Sequence, residues 1–223
     1  MTDLTGTKAI VIGGTSGIGA AVAQVLAERG AAVTSASRAT GLDVTDADAL
    51  SRWIAGQGPF DHLVFTAGSQ APGGAVDALD LEAARRAFDV KFWGSIRAAK
   101  AAAAELRPGG TITLTSGFLA RRTVPGTFAK TAMNAALEAS AKILARELAP
   151  IRVNVVSPGL TDTDAYAGME TAARKQMLEG AAAKLPAGRV ARPQDVAAGY
   201  LFAIETASVT GAVIDIDGGA LIN

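Results

Sequence analysis

The chain has 223 residues with 21 basic and 21 acidic side chains, so its formal net charge is zero. No basic run exceeds Arg121-Arg122, which argues against a protein that grips nucleic acid by neutralising phosphates. Cysteine is absent and there is one histidine, His62, which removes disulfides, thiolate nucleophiles, Cys-type zinc sites and His-rich metal centres together.

Hydrophobic residues make up 49% of the chain and charged ones 19%, enough apolar matter for a sizeable core and too much for disorder. Residues 9–27 carry no charge, a length close to a bilayer span, but Gly13, Gly14, Gly17 and Gly19 interrupt them. The opening Met-Thr-Asp-Leu-Thr lacks the basic flank of a signal peptide, so the expectation is a soluble protein of the cytoplasm, with no nucleic-acid or membrane partner.

In chain order, Lys8–Ile12 is a continuous apolar run of the kind a buried parallel strand needs. A helix is expected over 18–29, closed by Gly30, and a second strand over Ala32–Ala36. Too few residues then separate Arg38 from Leu42-Asp43-Val44 for a crossover helix. A short helix over Ala47–Ala55 and a strand over 61–66 follow, then a long alanine-rich helix over 81–106, stopped by Pro108-Gly109-Gly110. Next come a strand over 111–115, a helix over 128–148 and a strand over 151–156 ended by Ser157-Pro158-Gly159. A polar, mobile-looking stretch over 161–184 leads to a helix with Pro193 in its first turn, and the last strand covers 212–216. This alternation predicts a single α/β domain, a parallel sheet covered on both faces, spanning residues 1–223.

Gly13-Gly14-Thr15-Ser16-Gly17-Ile18-Gly19 links the first strand to the first helix. The spacing permits a tight turn, close backbone approach to a phosphate and close helix packing, with helix N-terminal amides facing the anion. Glycine spacings arise by chance, but here the strand before and the helix after are both in place. At the end of the second strand a site for NAD wants a carboxylate for the ribose hydroxyls. No acid occurs between Glu28 and Asp43, and Ser37-Arg38 stands there instead. Arginine can clamp a 2′-phosphate and serine can donate to it, so NADP(H) is favoured; the alternative is a solvated arginine at a turn.

These residues resemble the short-chain dehydrogenase/reductase family over nearly the whole chain. Asp43-Val44 is similar to that family's adenine-contacting acid–Val step, and Thr66-Ala67-Gly68 to the end of its Asn-Asn-Ala-Gly segment. Pro158-Gly159 with Thr161 and Thr163 resembles the nicotinamide-side Pro-Gly-x-x-x-Thr step, and 188–193 and Asp217-Gly218-Gly219 the C-terminal part. The resemblance implies a doubly wound Rossmann fold with a mainly parallel seven-stranded sheet, here with one crossover helix shortened or missing. It also implies a homodimer or homotetramer built on the two long helices, whose alanines equally favour helix formation alone.

The family's catalytic set is Asn, Ser and Tyr-x-x-x-Lys, and no such Tyr-to-Lys pair exists in this chain. Counting without gaps puts the tyrosine position at Lys130, the lysine position at Asn134, the serine position at Gly117 beside Ser116, and the asparagine position at Lys91. A rival register pairs Lys130 with the family lysine and Gly126 with the tyrosine, at the cost of a one-turn helix shift. In the first register Asn and Lys are exchanged, and if they face each other the site keeps one carboxamide and one ammonium. Lys130, buried beside a second ammonium, would then be the general acid, unless it points to water. Ser116 either bonds a substrate oxygen or faces the core. His62 reads as structural, Tyr200 as core, and Tyr166 as part of a lid-like segment.

Three functions remain open from these residues. The first is an NADPH-dependent reductase of a small carbonyl or imine substrate, where an already protonated imine needs less help from an acid. The second is a non-catalytic NADP(H)-binding sensor or assembly protein. The third is a lyase- or epimerase-type reaction on the same scaffold.

Overall fold

The computed structural model describes residues 3–68 and 71–223. Six strands form one wholly parallel sheet in the order β2-β1-β3-β4-β5-β6: β1 Lys8–Ile12, β2 Ala32–Ala36, β3 Phe60–Phe65, β4 Leu106–Thr115, β5 Arg152–Pro158 and β6 Val213–Ile216. Seven helices accompany the strands among the described residues: α1 Gly17–Glu28, α2 Ala47–Ala55, α3 Leu81–Phe88, α4 Gly94–Ala102, α5 Phe128–Glu147, α6 Thr171–Ala182 and α7 Pro193–Glu205.

Because side chains alternate along each strand, the sheet feeds two separate cores. Ile10, Ile12, Leu63, Phe65, Ile112, Leu114, Val153 and Val155 pack with residues of α2, α4 and α5 on one face. Ala9, Val11, Val64 and Val156 pack with α1 and α7 on the other, where Tyr200 is fully buried as expected. The Tyr200 hydroxyl meets Thr115 Oγ1 at 2.6 Å, and burial raises its pKa, so it stays a neutral phenol.

The seven-stranded expectation is corrected to six among the described residues. Between Arg38 and Asp46 a 3₁₀ turn over Arg38–Thr40 takes the place of a crossover helix. Leu42 and Val44 are buried with strand-like alternation, but Asp43 Oδ1 accepts from the N–H of Thr45 at 2.9 Å and turns the chain before an edge strand can form.

The helix expected over 81–106 runs only to Ala102, and it is not uniform. A π-helical turn, Asp89–Trp93, joins α3 to α4. Leu106 already belongs to β4, opposite Phe60, and Pro108-Gly109-Gly110 lies inside that strand where its register shifts. Gly94 lets α4 sit close on the sheet, since a Cβ there would be 3.1 Å from Phe65 Cζ and 3.0 Å from Val44 Cγ2.

The 161–184 stretch contains a short 3₁₀ turn and α6. Arg174 of α6 ties it back to Asp162 at 2.5 Å. No described helix is long and apolar enough to cross a membrane, and no described cluster of His, Asp and Glu can hold a metal ion.

Candidate active site

The glycine turn at the carboxyl end of β1 is held by close backbone approach. Gly13 has φ +91°, and a Cβ on it would be 2.5 Å from the Ala67 amide nitrogen. A Cβ on Gly19 would be 2.1 Å from Gly13 O and 2.4 Å from Thr66 Oγ1. Thr66 and Ala67 both bond to Ile12 O, which fixes β3's end against the turn. Gly68 is open around its Cα, and Ile18 is partly buried against the α1–α7 core.

Ser16 is the N-cap of the twelve-residue α1, yet its side chain caps nothing and the first turn carries no acid. The amides at that end are therefore free for an anion. The cleft above them is lined by Thr15, Ser16, Gly17, Asp162, Thr163 and Arg174, among others. Thr163 sits 3.6 Å from where a Cβ of Gly17 would be, so the segment after β5 closes over the phosphate cradle. Arg174 neutralises Asp162, the acid that would otherwise repel a pyrophosphate. Neither residue is announced by sequence spacing.

At the end of β2, Ser37 Oγ accepts from Thr15 Oγ1 at 2.8 Å and from the Ala39 amide at 3.2 Å. Both its lone pairs are used and its proton is left to donate. Arg38 follows, exposed at the start of the 3₁₀ turn. Asp43 is exposed and occupied with Thr45, which holds its carboxyl below the usual range, while Val44 is turned into the core. Val44 therefore offers backbone rather than side chain to a ligand. These donors fit a phosphorylated dinucleotide.

On the other side of the cleft, Gly159 lies so close to Asp217 that a Cβ would be 2.7 Å from its Cα. Thr161 Oγ1 donates to Gly159 O at 3.1 Å, which stiffens the step after Pro158, and Thr163 accepts from the Ala165 amide.

Lys91 lies in the π turn and Asn134 in the middle of α5. Lys91 Nζ donates to Asn134 Oδ1 at 2.7 Å and to Ser116 O at 2.8 Å. The two positions face each other, which fits the register that exchanges carboxamide and ammonium. Burial, with the Lys130 charge adding to it, pulls the Lys91 ammonium down to about 8. A π turn is common where a helix is bent to a functional need, and here it presents Lys91 toward α5.

Lys130 is close enough to act on Lys91 but is exposed. The burial expected around it is therefore absent, because position 130 opens the solvent-facing first turn of α5. Ser116 takes the second of its two expected placements. It is buried and its hydroxyl donates to Glu138 Oε1 at 2.9 Å. Glu138 in turn pairs with Arg121 Nε at 2.9 Å, and Arg121 also binds Asp215. This network anchors the loop after β4, and sequence reasoning missed it. Tyr166 is half-buried in the segment after β5, with its hydroxyl proton held more tightly by burial.

A doubly wound parallel sheet with a glycine cradle at its first strand-to-helix turn defines a dinucleotide-binding Rossmann domain. A family model described as enoyl-(acyl carrier protein) reductase matches residues 34–220. The short-chain dehydrogenase/reductase malC of Malbranchea aurantiaca is 32% identical over 98% of this chain and 96% of that protein. The cis-4-hydroxycyclohexanecarboxylate dehydrogenase of Sinomonas cyclohexanicum is 34% identical over 95% of each. The crystal structure of a small-chain dehydrogenase in complex with NADPH is 51% identical, with a TM-score of 0.94, over 97% of this chain and 99% of that one. The chain belongs to the short-chain dehydrogenase/reductase family.

Proposed function

We propose that the protein is an NADPH-dependent oxidoreductase that reduces a small carbonyl or imine compound at a non-standard site. The observation that carries this reading is the pairing of an intact phosphate cradle and Ser37-Arg38 with the Lys91–Asn134 contact. The 51%-identical structure that holds NADPH supports the choice of nucleotide. Bound in this cleft, the reduced nicotinamide supplies hydride.

The chain's own residues do the rest. The α1 N-terminus and Thr163 hold the pyrophosphate, and Arg38 and Ser37 hold the 2′-phosphate. Lys91 holds Asn134 in place and would keep positive charge beside the bound cofactor. Lys130, one helical turn before Asn134, is the proton source for a carbonyl substrate, reached from solvent rather than from a buried pocket. Trp93, Phe128 and Ile143 are exposed on the π turn and α5, which supports a homodimer or homotetramer joined through these helices.

NADPH consumption is measured over ketones, aldehydes, imines and quinones, for the wild type and Lys130→Met. Turnover by the wild type that falls in the variant supports the reading. Tight NADPH binding without turnover favours a sensor or assembly role. Conversion of a substrate with no net NADPH consumption favours a lyase or epimerase. Equal turnover in Lys130→Met removes Lys130 as proton source.

A further inference from the structure

We infer that the Asn134 carboxamide is the group that binds and polarises the substrate, that it does so over the bare backbone of Gly117, and that the substrate is a carbonyl rather than an iminium ion. The choice of substrate rests on the reductase reading above, but the placement of the acceptor atom does not.

A lysine ammonium has three donors and no acceptor. The atom of Asn134 that faces Lys91 at 2.7 Å must therefore be Oδ1, and the amide nitrogen is turned away from it. Asn134 is only 5% exposed, and no described atom accepts from its Nδ2, which still reaches solvent. A water or the acceptor atom of a ligand can therefore reach this donor.

The direction of Nδ2 is given by Gly117. A Cβ built there would lie 3.0 Å from Nδ2, while the next atoms, Asn134 Cγ and Pro158 O, are 3.7 Å away. The absence of a side chain at 117 thus leaves room for one atom at hydrogen-bond distance from an unspent donor. Ser116, the neighbouring hydroxyl, cannot compete for that place because it is committed to Glu138.

The chemistry of the place selects its occupant. Nδ2 needs an acceptor, and the lone pairs of a carbonyl oxygen provide one. The N–H of an iminium ion is a donor, and its charge is repelled by Lys91 and by Lys130 nearby. The Lys91 ammonium also polarises the amide through Oδ1, which strengthens Nδ2 as a donor when negative charge develops on the substrate oxygen.

The test uses Gly117→Ala and Asn134→Asp. Gly117 has φ 169° and ψ 150°, extended backbone that alanine adopts without strain. Asn134→Asp keeps the shape and the acceptor toward Lys91 but removes the donor. Crystal structures of the wild type and Gly117→Ala are determined with NADP⁺ bound, and NADPH affinity is titrated by fluorescence. An ordered water about 3 Å from Asn134 Nδ2 over Gly117 is expected in the wild type, absent in Gly117→Ala, with NADPH affinity changed less than about twofold. For carbonyl compounds that the wild type reduces, both variants should lose about 100-fold in kcat/KM. The inference is overturned if Nδ2 donates to the ribose or to the nicotinamide, if the place over Gly117 is filled by protein, or if carbonyl turnover survives in both variants. If an iminium is the preferred substrate, the carbonyl assignment is overturned. If no compound is turned over, the reductase reading fails, and the water position still decides the role of Nδ2.

Discussion

Lys91 Nζ and Asn134 Oδ1 meet at 2.7 Å, 43 residues apart, across the gap between the π turn and α5. That one bond sets the amide's orientation and ties the π turn after β3 to the helix after β4. The second bond, to Ser116 O, fixes the end of β4 to the same ammonium. The π turn, α5 and the end of β4 therefore share one side chain.

Arg38 should decide between the two nicotinamide dinucleotides. It is exposed beside Ser37, and no acid precedes it on β2 to favour unphosphorylated ribose. Hydrogen bonds to a charged group contribute about 1.5–3 kcal/mol, so Arg38→Ala should weaken NADPH binding roughly 10- to 100-fold. NADH binding should change by less than about threefold, within the scatter of a surface substitution. Equal losses for both, or a wild-type preference for NADH, would refute the assignment.

His62 offers a clean titration because it is the sole histidine. Its Nδ1 meets Thr111 Oγ1 at 3.0 Å, Nε2 has no partner among the described residues, and burial drives its pKa down to about 4. The folded pKa lies below the unfolded value, so between about pH 6.5 and 4 the unfolded chain binds the extra proton. The stability due to a neutral His62 is complete above pH 6.5 and is lost as pH falls through 4. Imidazole resonances followed by NMR should titrate with a midpoint near 4, and a midpoint near 6.5 would show that the ring is solvated.

Much of the fold is readable from residue patterns, and the exceptions have physical causes. The run at β1 is a nearly continuous apolar stretch, those at β2 and β5 are short segments bounded by turn residues, and the structure places strands at all three. The long helix overshoots because Ala103, Ala104 and Glu105 are good helix formers, whereas pairing with Phe60 draws Leu106 into β4. The phosphate cradle is local in sequence and so was legible. Ser116 was not, because its direction depends on Glu138, 22 residues on, and neighbouring strand residues point to opposite faces. The π turn leaves no mark in composition, and the meeting of Lys91 with Asn134 is visible in sequence only through the family register.

Glu138, a buried carboxylate on α5, should matter to stability. Its carboxylate accepts from Ser116 Oγ and pairs with Arg121, which also reaches Asp215 on β6. Glu138→Ala leaves the buried Ser116 hydroxyl without its acceptor and should cost about 2–3 kcal/mol. At this chain length that corresponds to a fall in Tm of about 5–10 °C. Glu138→Gln keeps an acceptor for Ser116 and should lose about half as much. Identical losses in thermal melts of the two variants would place the effect in packing rather than in this hydrogen bond.

Lys91 should make stability rise with pH in the alkaline range. Its folded pKa is about 8 against 10.5 for the free group, because burial and the Lys130 charge disfavour the ammonium. Between these values the unfolded chain holds a proton that the folded chain has released, so unfolding takes up protons and the folded state gains as pH rises. Below about 8 both states are protonated and the penalty of burying the charge is present in full. Above 10.5 neither is protonated and the penalty is gone. Lys91→Met has no such group, and all other titrations are common to both proteins and cancel in the comparison. Melting temperatures measured from pH 7 to 10 should therefore show the wild type gaining on Lys91→Met as pH passes 8. A constant difference across that range would mean that the ammonium is solvated, and that the amide orientation it imposes on Asn134 is not held by a buried charge.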